Sequence, residues 1–430
     1  MNRRPTLDAP TVFLVMIAVR GLLFSMMVVI YAPYLIVDAH LGPFQLVLLG
    51  TILEGTILVF ELPTGIVADA ISRRTSIIIG FALLGASTVL VGTVPHFGWI
   101  VVGDVMAGLG YTFTSGADVA WITDEVGEEP AAKLYLRSAQ WAQAAGIAGV
   151  GIGVWLATAR LGLPFMVSGL GTIALAGFLV LTMTENNFIP QRVKGTKLRT
   201  SFAAQWKQSL GAVKGRPVLF LIFAIAALHG ASTEGFDRLY ALHFIKGTHL
   251  PPLGSLHRVL WWGIIDAGGA FLAIGATEFV KRRVETSSPR GPAKALAVIY
   301  VLLIASVAVF GLAPGFALAL GAFWVAGTLR SVEEPIFTIW VNRGLDPASR
   351  ATVNSMWGQA DALGQVVGGP VLGVIAAVRS VTTAIVVSGF LRAPALLLFR
   401  RTHGEAPIAP EELEPGTGAG PEAPVLESTL

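Results

Sequence analysis

Cysteine is absent from the 430 residues. That removes disulfides, thiol nucleophiles and thiolate metal sites together. Charge is also scarce. Asp, Glu, Lys and Arg make up 13% of the chain, about half the share of an average soluble domain. The seven histidines are scattered and show no metal-ligand spacing. No nucleophile–base pair and no glycine-rich phosphate loop stands out. The reading is therefore not an enzyme, with no metal, no cofactor and no nucleic-acid partner expected.

What the chain has is apolar length, 54% of its residues being hydrophobic. Apolar runs fall near 11–37, 43–68, 75–95, 97–123, 134–159, 163–184, 217–244, 258–280, 293–313, 315–341, 350–378 and 380–399. Roughly 20 apolar residues cross a bilayer as a helix. Twelve such runs predict an all-α membrane protein with twelve transmembrane helices. The first run is too long for a signal-peptide core.

Lys and Arg orient the spans. The two ends and the even-to-odd connections hold about 22 of the 30 basic residues, against about four in the opposite loops. Both termini are thus expected in the cytoplasm. Arg, Ala, Gly and Val are abundant, as in GC-rich bacteria, which suggests a bacterial cell membrane. Residues 185–216 form a basic linker that divides a six-helix unit, 1–184, from a second, 217–400. A Pro-, Gly- and Glu-rich tail, 401–430, is expected to be disordered.

The two units repeat one another. Adding 209 places Arg20 and Tyr31 over His229 and Tyr240, and adding 212 places Glu54 over Asp266. Adding 216 places Trp141 and Gln143 over Trp357 and Gln359, and Thr112, Ser115 and Asp118 over Thr328, Ser331 and Glu334. A nearly constant offset in chain order points to duplication, a hallmark of transporter folds.

Spans 3 and 6 hold no charge, span 9 holds only Lys294 at its very start and span 12 only Arg392, whereas the other spans hold about a dozen. A charge facing lipid at mid-bilayer costs roughly 2.5–3.5 kcal/mol. Eight such charges would cost on the order of 20 kcal/mol, more than a typical net stability of about 5–15 kcal/mol. They must face one another or a wet central path, with helices 3, 6, 9 and 12 as its shield. The candidates for proton coupling or substrate binding are Arg20, Glu54, Asp118, Glu234, Asp266, Arg330, Glu334 and Asp361. Glu234 is spaced to pair with Arg238 on its own helix, and Arg330 with Glu333 or Glu334. Arg20, Glu54, Asp266 and Asp361 need partners from other helices or from water. A carboxylate in a poorly solvated cavity can load and release protons near neutral pH.

The strongest local pattern follows the second span: Glu61-Leu-Pro-Thr-Gly65-Ile-Val-Ala-Asp69-Ala-Ile-Ser-Arg73-Arg74. It resembles the helix 2–3 loop of the major facilitator superfamily, G-x-x-x-D-R-x-G-R-R. Gly65, Asp69, Arg73 and Arg74 match, while Ala70 and Ser72 replace an Arg and a Gly. The glycine run Gly146, Gly149, Gly151 and Gly153 is somewhat like the motif of bacterial drug/proton antiporters. The resemblance implies two pseudo-symmetric six-helix bundles and alternating access. It also implies a gate in which Gly65 permits close helix contact and Asp69, Arg73 and Arg74 tie helix ends together, with Asp124 and Arg137 as partners. The expected function is proton-coupled efflux of a small organic solute, driven by the proton gradient, from a monomer surrounded by lipid. A proton-coupled importer of a metabolite is the alternative, and a non-transporting membrane sensor or scaffold is the alternative of another class.

Overall fold

A computed structural model describes residues 7–190, 217–253, 257–283, 290–342 and 347–401. Most of the expected linker and nearly all of the expected tail lie outside those residues. Among the described residues twelve helices cross the molecule. They are α1 (Ala9–Val37), α2 (Pro43–Ala70), α3 (Arg73–Thr93), α4 (segments Phe97–Thr114 and Ala117–Val126), α5 (Glu128–Ala159) and α6 (Leu163–Thr182). The second half holds α7 (Pro217–Leu242, continued by a π-helical turn, His243–Gly247), α8 (Leu260–Arg283) and α9 (Arg290–Leu312). It ends with α10 (Phe316–Val341), α11 (Pro347–Val378) and α12 (segments Val381–Phe390 and Ala393–Arg401).

The ends follow local chemistry. Proline, whose missing N–H costs nothing in a first turn, opens α1, α2 and α6. The Ser72 hydroxyl caps α3 by accepting from the Thr75 N–H. By length and apolarity α1, α2, α3, α5, α6, α8, α9 and α11 qualify as membrane spans. Each of α7 and α10 carries three charges, and α4 and α12 are interrupted.

Those two interruptions differ from the continuous spans expected. In α4 the chain turns at Gly116, whose φ of +74° suits a residue without a Cβ. The second segment therefore starts beside Asp118, a favourable place for a negative charge. In α12 Pro394 cannot donate to the preceding turn, and the helix breaks at Leu391 and Arg392. The break turns Arg392 inward, where it is 5% exposed.

The packing of α1–α6 is repeated in α7–α12. Contacts α1–α5, α3–α6 and α2–α4 recur as α7–α11, α9–α12 and α8–α10. Small residues make the tightest seams. A Cβ on Gly21 would come within 2.8 Å of the Ala142 carbonyl oxygen, and Gly149 and Gly153 abut the carbonyls of Leu22 and Met26. In the second half Gly230 abuts the Asp361 carbonyl and Gly364 that of Ala227.

The face where α1 begins is called near, its opposite far. The halves meet toward the far face. There Gly373 of α11 lies against Phe44 and Val47 of α2, and Gly263 of α8 lies against Val154 of α5. Toward the near face α2 and α11 diverge around a cleft of about 440 Å³.

Candidate functional site

The cleft takes its α2 wall from Leu58, Glu61, Gly65 and Asp69, a stripe repeating every three or four residues. Ser355 and Gln359 of α11 stand opposite. Glu54 continues the stripe one turn farther in and is half-buried. No hydrogen bond or ion pair joins Glu54 or Asp266 to another described side chain; Asp266 is exposed.

Beyond the cleft, charges are paired across helices. Arg20 of α1 donates to Asp118 of α4 at 3.1 Å, and Tyr31 of α1 donates to Asp104 of α4 at 3.1 Å. Arg330 of α10 grips both carboxylate oxygens of Asp237 on α7, one of them at 2.7 Å. Arg330 therefore does not serve Glu333 or Glu334, which corrects the expected same-helix pairing. Glu334 is exposed. Glu234 and Arg238 do pair within α7, at 3.4 Å, as their spacing implied.

A larger network occupies the second half. His229 of α7 is 2.8 Å from Asp361 of α11 through Nδ1 and 3.4 Å from Glu333 of α10 through Nε2. Arg392 of α12 donates to Glu333 at 2.7 Å and to the Ser232 hydroxyl at 2.9 Å. Gln365 donates to the second oxygen of Asp361 at 2.8 Å. Four helices thus share one chain of polar contacts around the buried Glu333–Arg392 pair, in which each ion has a compensating partner. Sequence reasoning singled out Asp361 but missed its connection to His229, Glu333 and Arg392, and it missed the separate Tyr31–Asp104 pair. The one available signal was the repeat that puts His229 over Arg20: both join the first helix of a half to its fourth.

At the near face the loop after α2 is tied into the first half. Arg73 pairs with Asp124 and lies 3.6 Å from Asp69. Arg74 donates to the carbonyls of Met183 and Val180, each at 2.7 Å. Glu185 accepts from the Ser72 hydroxyl at 2.7 Å and from the Arg74 N–H at 3.0 Å. Of the two expected partners of this gate, Asp124 pairs with Arg73, whereas Arg137 is exposed and makes no ion pair among the described residues. Gly65, expected to allow close helix contact, has nothing within 4 Å of a built Cβ; it faces the open cleft.

The family model of the Major Facilitator Superfamily matches residues 13–368. The chain belongs to the Major Facilitator Superfamily. It is a multi-pass membrane protein of a transporter family. Solved structures agree in fold. The nucleoside transporter NupG superposes with a TM-score of 0.68 over 92% of this chain and 99% of its own, at 14% identity. A bacterial homologue of the human lysosomal transporter Spinster, inward-facing and occupied, gives 0.68 over 91% and 96%, also at 14% identity. A peptide transporter, POT, in complex with sulfate gives 0.69 over 92% and 94%, at 13% identity. Likeness at these identities shows the fold alone. No curated protein sequence matches significantly. The site this chain offers consists of paired charges at the helix seams and, along the α2 stripe, Glu61 and Glu54 without an ion pair among the described residues.

Proposed function

We propose that this protein is a proton-coupled secondary transporter working by alternating access, and that it exports small cationic or amphipathic organic molecules from a bacterial cytoplasm. One observation carries the reading: the cleft opens at the basic face and is lined by Glu61, with Glu54 one turn farther in, and neither has an ion-pair partner among the described residues. The arginines nearest the path, Arg20, Arg238 and Arg330, each hold a carboxylate. A wet, low-dielectric cleft with surplus negative charge favours a cation. By the positive-inside rule the near face is cytoplasmic, so the solute enters from inside. Protons flowing inward supply the energy, and no resident cofactor is part of the reading. A monomer in lipid suffices, since both halves and the cleft between them come from one chain.

The test uses everted membrane vesicles with an imposed proton gradient and a pH-sensitive dye, challenged with a panel of organic cations, anions and neutral solutes. Proton efflux on adding cations, reduced at least tenfold by Glu54→Gln, is expected. Responses confined to anions, or uptake driven in the opposite direction, would overturn the reading in favour of import.

A further inference from the structure

Asp104 lies seven residues into α4, about 10 Å from the far end of that helix. It is 5% exposed, and among the described residues its side-chain hydrogen-bond partner is the Tyr31 hydroxyl. Asp104 makes no ion pair among the described residues, and the cation whose charge acts on it is Arg238, from the other half of the molecule. Arg238 also acts on Tyr31 and Glu54, and it is already engaged by Glu234 at 3.4 Å. Among the elements packed around this layer, α1 contributes Tyr31, α2 Glu54, and α7 Glu234 and Arg238. The titratable groups of α3, Arg73 and Arg74, lie at its opposite, near end. Asp237 and Arg330 neutralise each other. Asp104, Glu54 and Glu234 therefore lie in the field of one guanidinium, which of the three contacts only Glu234.

The guanidinium reaches this layer through a socket. Gly50 of α2 leaves room for the Glu234–Arg238 pair: a Cβ there would come within 2.7 Å of the Arg238 Cζ and would also strike Glu234. Closing the far face seats the pair on α2 and seals Asp104 from water. Parting α2 from α7 would withdraw Arg238 and wet Asp104. An ionised Asp104 is well solvated only in the open arrangement, because in the closed one its oxygens have a single hydroxyl donor and a shared cation.

We propose that Asp104 is the proton-binding group whose protonation permits the far face to close, with the Gly50 socket and the Glu234–Arg238 pair forming the seal over it. The assignment rests on the proton-coupled reading above. The proton is taken from far-side water in the open state. Glu54, one turn nearer the cleft, is its path of release after closure.

The experiment exploits the absence of cysteine. Val37→Cys and Lys246→Cys, exposed positions at the far ends of the two halves, carry spin labels on the full chain in lipid nanodiscs. Their distance is read by pulsed electron resonance between pH 5 and 9, with no substrate. In the parent the long-distance population should grow as pH rises, by up to tenfold per pH unit for one linked proton. Asp104→Asn should hold the short distance at every pH, and Asp104→Glu should restore the pH response. Gly50→Val should hold the long distance at every pH. A parent that does not respond to pH overturns both this proposal and proton coupling. A parent that responds while Asp104→Asn responds equally overturns the Asp104 assignment and leaves proton coupling standing.

Discussion

The two halves share a helix plan and use their charges differently. In the first half the dense ionic chemistry lies at the near face, where Ser72, Arg73 and Arg74 lock onto Asp124, Glu185 and the end of α6. The matching corner of the second half has Arg282 and Glu278 on one exposed helix turn. Inside the bundle the order reverses. The first half holds a half-exposed Arg20 against Asp118, whereas the second buries Glu333 and Arg392 together and ties the half-buried His229 and Asp361 to them. It adds an aromatic cluster toward its far end, with Phe236 and Tyr240 stacked on Phe323 at 5.4 and 5.1 Å. One half is braced at its rim and the other at its core. Duplication sets where helices lie, and leaves later divergence free to choose where ions are held.

The sharpest way to break that contrast is to remove one arginine from each half. Arg392→Leu leaves Glu333 buried without its guanidinium and should cost roughly 3–5 kcal/mol. Arg20→Leu removes a half-exposed partner and should cost about 0–1 kcal/mol. Thermal unfolding in detergent, followed by the fluorescence of the ten tryptophans, reads both. Equal losses would mean that the second half is not core-braced. A middle-sized effect tests what the halves share. Gly149→Ala and Gly364→Ala each push a methyl into a facing backbone and should each cost about 1–3 kcal/mol. Gly151→Ala, with nothing within 4 Å, should lie within about 0.5 kcal/mol of the parent. A large difference between Gly149 and Gly364 would show that the seams are not equivalent. The smallest pair addresses the rim. Ser72→Ala should cost about 1 kcal/mol and Arg282→Ala about 0.3–0.5 kcal/mol. Proteolysis rates of the near-face loops would rank them.

Helix number and order were legible because hydropathy and basic-residue bias are properties of each segment alone, and ten of the twelve spans are unbroken. The start of α5 at Glu128, six residues ahead of the apolar run, was hidden because a polar amphipathic turn extends the helix past the lipid. The interruption at Gly116 was hidden because a single glycine in a membrane helix is usually tolerated. Pairings within a helix, such as Glu234 with Arg238, follow from i,i+4 geometry and could be anticipated. Pairings between helices depend on rotation and crossing angle, which one sequence does not encode locally. Arg330 was therefore matched to its neighbours rather than to Asp237, and Arg392, alone on its span, gave no hint of Glu333.

Gly65 has empty space where a side chain would be. A screen that rewards heat resistance of this arrangement will find no fault with a bulky residue there, and helix propensity will even recommend one. Under alternating access, the same residue jams the near ends of α2 and α11 when they come together. Selection for rigidity at this position would thus enrich proteins that are easier to purify and unable to complete a cycle, a ready means of arresting the molecule in a single pose.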